Sequence, residues 1–276
     1  MAENNHRRRG PVKAAASGGR ANSSGSRASR AGDNGAVELT RGPHHLDVRL
    51  NRPEAGNRIS AAMAQRLIEL AEETEDDATV YVLTLTGTGN SFCSGFDDDV
   101  DPRLVETLGL ISKPTAAIIN GAAFDEGLEL AMALDLRASS ASARFALGQL
   151  QRGALPRFGG TQRLPRLIGP AHALRMILTG AAIDGREAMR LGLVTYLAKS
   201  RADLGRIARE LTATLADRGP LGTRMVKDAV RNGYDMTLDQ GIRLEEDLYA
   251  LLQTTADRAE GVRAFLEKRK PLFKGA

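Results

Sequence analysis

The 276-residue chain has no tryptophan, one cysteine and four histidines, and only 4% of its residues are aromatic. Cys93 alone cannot form an intramolecular disulfide or a cysteine-cluster metal site, and a lone thiol suits a reducing compartment, so a cytoplasmic protein is expected. No apolar run approaches the roughly 20 residues of a membrane-spanning helix. The first residues lack the apolar core of a secretory signal. They are rich in Arg and Ser, as organellar transit peptides are, but Gly10, Pro11, Gly18 and Gly19 interrupt any amphipathic helix, and a disordered tail is expected. Scarce aromatics and the lack of a recognition motif speak against nucleic acid. The net charge of +4 does not reverse this, because Arg7, Arg8, Arg9, Lys13, Arg20, Arg27 and Arg30 against Glu3 and Asp33 place +5 in residues 1–35 and leave −1 for the rest.

What is present is an ample core: 42% of the residues are hydrophobic, enough for one large domain, or a domain with a helical appendage. From Ala36, AVELT and HHLDVRL alternate as two paired strands about a Gly-Pro turn at 42–43. After the loop NRPEAGNRIS, Ser60 is placed to cap an amphipathic helix over 61–75, and the β-branched run VYVLTLTG at 80–87 suits a strand buried on both faces. In GNSFCSGFDDDVD, Phe92 and Phe96 bracket a tight turn. The three aspartates invite a metal, but without flanking oxygen ligands they are read as opening a helix. Cys93, with no histidine in the neighbouring motifs to activate it, is read as a small buried residue. Behind Arg201 the pattern is nearly all helical: to Asp217, from Gly222, over Thr237–Leu252 and over Thr255–Lys268.

The stretch Lys113–Gly169 carries the chemistry. It reads as a buried strand KPTAAIING, a turn of small residues, a helix LELAMALDL, a short strand RFALG, a Gly153–Gly160 loop and a further helix kinked or restarted at Pro165. Strand-to-helix turns leave backbone N–H groups pointing one way, able to hold an oxygen that becomes negative. Glu129 stands among Leu128, Leu130, Ala131 and Met132, and a carboxylate on a buried helix needs a reason. Asp135 is expected to cap or pair, Arg163 and Arg166 to tie loops, and His44, His45 and His172 to pack or face solvent.

Several strings occur in one order: NRP-x-A-x-N at 51–57, F-x-S-G-x-D at 92–97, KP-x-x-x-x-x-NG-x-A at 113–123, LELA with Asp135 at 128–135, GGTQRLPRLIG at 159–169 and FLEKRKPLF at 265–273. In this series the chain resembles the crotonase superfamily, the enoyl-CoA hydratase/isomerase family, from about Ala36 to Lys274. The resemblance implies an α/β fold, a spiral of ββα units with a C-terminal helical trimerisation region. It divides the chain into a tail (1–35), a core with the acyl-CoA site (36–200) and a helical oligomerisation region (201–276). It implies trimers or paired trimers, an acyl-CoA ligand, and no cofactor beyond the CoA of the substrate.

By position the resemblance assigns the oxyanion donors to the amides of Phe96 and Glu126, and one acid/base role to Glu129. The second such role falls on Gln149, which can neither give nor take a proton at neutral pH. CoA contacts fall on Arg52 and the backbone of Ala55, with Phe265 and Lys268 from a neighbouring subunit. Asp125 and Glu126 stand where most members have glycine, and the Glu126 carboxylate is expected to point away from the donor it is attached to. The implied reaction is hydration of a 2-enoyl-CoA, with a non-catalytic acyl-CoA-binding homologue or a one-carboxylate acyl-CoA hydrolase as alternatives.

Overall fold

In the computed structural model, which describes residues 35–276, the chain winds in successive turns, each laying one strand into a long sheet, the next into a short one, and returning through a helix. It enters through the antiparallel pair β1 (Val37–Gly42) and β2 (His45–Leu50), then passes to α1 (Ala61–Asp76). Ser60 caps α1 by accepting from Met63 N–H at 3.3 Å, and Met63, Leu67 and Leu70 are buried one helical turn apart. The first full turn is β3 (Val82–Gly87), β4 (Ser91–Cys93) and α2 (Leu104–Leu110); the second is β5 (Thr115–Ile119), β6 (Ala122–Phe124) and α3 (Glu126–Ala133). The third runs β7 (Leu136–Ser140), β8 (Arg144–Ala146), a 3-10 turn at Gln149–Arg152, α4 (Gly160–Ile168) and α5 (Pro170–Thr179). β9 (Ile183–Asp184), α6 (Gly185–Leu191) and β10 (Tyr196–Ala198) close the spiral. The long sheet has the order β1-β2-β3-β5-β7-β10, parallel after the first pair, and the short sheet the order β4-β6-β8-β9.

Parallel strands covered on both faces lack a solvent-facing side: β5 is buried throughout and β3 is buried save for half-buried Thr86. The three-residue strands β4 and β6 fall where the sequence suggested only turns; three residues are too few to show a two-residue period. The three aspartates do not open a helix: α2 begins later, at Leu104, behind Asp101, whose carboxylate accepts from Arg103 N–H at 2.8 Å. α4 runs through Pro165 as one helix.

Four helices follow: α7 (Arg201–Ala216), α8 (Pro220–Gly233), α9 (Leu238–Gln253) and α10 (Ala256–Leu266). α7 covers the long sheet, with Leu204 and Leu211 packed in a cluster with Ala116, Ile118 and Ala138. α8 is held by three cations spaced along one face. Arg224 donates to Ser112 Oγ (2.6 Å) and Glu75 Oε1 (2.5 Å), Lys227 to the Lys113 carbonyl (2.8 Å) and Asp135 Oδ2 (2.6 Å), and Arg231 to the carbonyls of Gly109 and Ala133. Asp135 also accepts from Thr115 N–H at 2.8 Å, the pairing expected of it. A cavity of about 890 Å³ lies between α8 to α10 and the α3–α4 region, walled by Met132, Leu167, Val226, Val230 and Phe273 among others; Glu129 and Gln149 do not line it.

Candidate active site

The site forms where β4 and β6 run out side by side. Past β4 the chain crosses Gly95 and bonds to the loop before α1, with Ile59 N–H donating to the Gly95 carbonyl (3.1 Å) and Asp97 N–H to the Ile59 carbonyl (2.9 Å). This holds Phe96 in place, its ring edge-on to Phe158 with centroids 5.2 Å apart. α3 lies directly on β4: a Cβ on Gly127 would come within 2.1 Å of the Cys93 carbonyl, so only glycine permits the approach.

β6 enters α3 through Asp125, whose φ of 51° and ψ of −121° are ordinarily left to glycine. Its carboxylate holds the turn, accepting from Gly148 N–H at 2.6 Å and from Arg152 at 2.9 Å. Glu126 is therefore the first residue of α3, and its N–H has no intrahelical acceptor. Contrary to the sequence expectation, its side chain does not point away. Glu126 Oε2 accepts from Phe96 N–H at 3.4 Å, because that amide is unpaired in the turn and the carboxylate is an acceptor within reach.

One helical turn on, Glu129 is fully buried. Its Oε1 accepts from Phe158 N–H (2.8 Å) and Gly160 N–H (2.7 Å), and its Oε2 from Gln149 Nε2 (3.1 Å). A Cβ on Gly160 would stand 2.9 Å from Glu129 Oε1, so a glycine lets the start of α4 reach the carboxylate. Burial pushes the Glu129 carboxyl up to about 7; the two backbone donors and Arg163 pull it down, and the charge of Glu126 adds to the rise. Gln149 is also buried, and its Oε1 has no partner among the described residues. Such an atom is a ready acceptor for a bound donor.

The fold thus brings the four residues together as two hydrogen-bonded pairs, Phe96 with Glu126 and Gln149 with Glu129, joined through α3, which carries both glutamates. The sequence did not point to the backbone of Phe158 and Gly160, for which the glycine pair opening α4 is the available signal. Arg163 ties the loop as expected, donating to the Phe158 carbonyl at 2.6 Å. Cys93 is buried, its thiol pushed up to about 12, and it donates to the Gly95 carbonyl: a packed residue and no nucleophile. Among the described residues no group of acids, histidines or cysteine is arranged to hold a metal. Asp97 instead meets Arg52 (3.4 Å) and Arg58 (3.2 Å). Arg52 also donates to the Arg58 carbonyl, and Ala55 ends a 3-10 turn beside Ser94. Phe265 and Lys268 are exposed at the end of α10, and no hydrogen bond joins them to this group.

The profile of the enoyl-CoA hydratase/isomerase family matches residues 45–276. The chain belongs to this family. It is 38% identical to the (E)-benzylidenesuccinyl-CoA hydratase of Thauera aromatica, over 87% of this chain and 99% of that one. It is 35% identical to the 2,3-dehydroadipyl-CoA hydratase of Escherichia coli, over 82% and 93%. Its fold superposes on the crystal structure of the enoyl-CoA hydratase from Bacillus anthracis with a TM-score of 0.84 at 33% identity, covering 87% of this chain and all of that one. The spiral is thus the fold of the crotonase superfamily. Among the described residues no helix is long and apolar enough to cross a membrane.

Proposed function

We propose that this protein hydrates the double bond of a 2-enoyl-CoA thioester, with Glu129 as its acid/base. The observation that carries the proposal is a buried carboxylate held by Phe158, Gly160 and Gln149 in a chain of the enoyl-CoA hydratase/isomerase family, and burial raises that carboxyl to about 7. The thioester carbonyl lies between the Phe96 and Glu126 N–H groups, which stabilise the enolate oxygen as it becomes negative; one such donor is worth about 3 kcal/mol. A water donates one hydrogen to Glu129 Oε2 and the other to the unpartnered Gln149 Oε1, presenting its lone pair to the β carbon. Glu129 takes a proton from this water as the C–O bond forms, and the double-bond electrons move onto the thioester as an enolate. Glu129 then returns that proton to the α carbon, so that H and OH of one water end on the two carbons and the carboxylate is regenerated. Gln149 orients the water without exchanging protons.

Arg52 and the Ala55 backbone hold the CoA, and Phe265 and Lys268 reach it from a second copy in a trimer or a pair of trimers. The apolar residues that α9 exposes, Leu238, Ile242 and Tyr249, suit such a contact.

A second reading, acyl-CoA binding without turnover, is favoured by Gln149 in the second acid/base position. Loss of enoyl thioester absorbance with short and medium 2-enoyl-CoAs decides between them. Turnover by the wild type, reduced about 10²–10⁴-fold in Glu129→Gln with CoA affinity kept, is the expected result. Binding without turnover in the wild type establishes the second reading, and unchanged turnover in Glu129→Gln removes Glu129 from the reaction.

A further inference from the structure

Resting on the acyl-CoA reading above, we propose that the Glu126 side chain is a built-in occupant of the oxyanion position. Its carboxylate stands in for the thioester oxygen on the Phe96 N–H, and a thioester binds by displacing it.

Four observations support this. Glu126 Oε2 accepts from Phe96 N–H, one of the two proposed oxyanion donors, so the donor is already engaged. The contact is 3.4 Å long, where a firm charge-assisted bond measures about 2.7–2.9 Å, so it is a weak hold that a better-placed oxygen can replace. Glu126 is only half-buried, unlike Glu129, which leaves its side chain a way out.

The fourth observation is that a landing place adjoins it. The point where a Cβ on Gly95 would sit is 3.0 Å from Glu126 Oε2 and 2.8 Å from Arg58 Nη1, so carboxylate and guanidinium border the same small gap. Arg58 already binds Asp97 and the Phe96 carbonyl through its other nitrogens. A short swing across Gly95 would pair Glu126 with Arg58 and free the Phe96 N–H.

The displacement also reaches the base. Arg58 borders Glu126 across Gly95 with Asp97 paired to it, Asp125 precedes Glu126 in the chain, Arg152 and Glu129 feel its charge, and the charges that bear on Glu129 are Glu126 and Arg163. Because Glu126 helps keep the proton on Glu129, its departure favours the ionised, water-activating form at the moment the carbonyl arrives. The residue thereby ties arrival of a thioester carbonyl to readiness of the site, at a cost in affinity borne only by ligands that carry that oxygen.

Calorimetric titration of wild type, Glu126→Ala and Glu126→Gln with two unreactive probes tests this: butyryl-CoA, and the thioether S-butyl-CoA, which lacks the carbonyl oxygen. The expected result is a tightening of butyryl-CoA by about tenfold or more in Glu126→Ala, a smaller gain in Glu126→Gln, and no change for the thioether. Equal responses of both probes, or no gain for butyryl-CoA, overturn the displacement while leaving acyl-CoA binding intact. Failure of wild type and variants alike to bind either probe overturns the acyl-CoA reading, and the displacement with it. Glu126→Gln keeps the shape of the side chain, so the comparison survives if Glu126→Ala does not fold.

Discussion

Burial lifts the Glu129 carboxyl to about 7, and that sets two opposite pH dependences. The proposed hydration needs the carboxylate, so kcat/KM is expected to rise about tenfold per pH unit below about 7 and level off above it, as measured in a pH–rate profile. Stability runs the other way. The folded value of about 7 lies above the ordinary 4.5, so the contribution of Glu129 is fully present below about 4.5 and is lost as pH rises through about 7. The gap corresponds to about 3 kcal/mol. In urea unfolding at pH 5 and pH 8, Glu129→Gln is therefore expected to lose less stability between the two pH values than wild type, by about 2–3 kcal/mol. The Gln149 amide can follow either form, donating to the carboxylate or, turned over, accepting from the acid. Glu129 was legible because a lone carboxylate among Leu128, Leu130 and Met132 is conspicuous. The direction of the Glu126 side chain was not, because it is decided by an amide 30 residues earlier in the chain, brought near only by the pairing of β4 with β6.

At the scale of elements, the start of α3 places both the proposed oxyanion donor and the proposed base, and Asp125 holds it. Asp125→Ala keeps the positive φ but loses the bonds to Gly148 and Arg152, and is expected to destabilise by about 2 kcal/mol. Asp125→Gly loses the same bonds but relieves the backbone, and should be about 1 kcal/mol more stable than Asp125→Ala in thermal unfolding. An equal or reversed order would show that the turn is unstrained. The long elements could be read from sequence because their patterns are sustained: α1 by its buried face, β3 and β5 by apolar and β-branched runs without a charged residue. Of the short sheet, β8 was read as the strand RFALG, whereas β4 and β6 were not, since they have three residues each and take their form from neighbours. The Asp97–Asp99 run misleads for a related reason: Asp97 is claimed by Arg52 and Arg58, far back in the chain, rather than by a helix start beside it.

For the molecule as a whole, the attachment of α8 to α10 rests heavily on the three cations of α8. Lys227 and Asp135 are largely enclosed, their side chains 9% and 21% exposed. Burial lowers the Lys227 ammonium and its partner opposes that. Lys227→Met leaves the Asp135 carboxylate with Thr115 as its hydrogen-bond partner, and is expected to lower stability by about 3 kcal/mol. Limited proteolysis should then cut first near Gly219, ahead of α8, whereas wild type resists; resistance in the variant would mean that packing alone holds the region. One further property follows from the seat of Cys93, the chain's single thiol, beneath α3 and wholly enclosed. Thiol reagents have nothing to react with until α3 lifts from β4, so the rate at which the native protein is labelled is a clock for the opening of the proposed active site. A ligand that seals the oxyanion turn should slow that clock, with no need for turnover to report it.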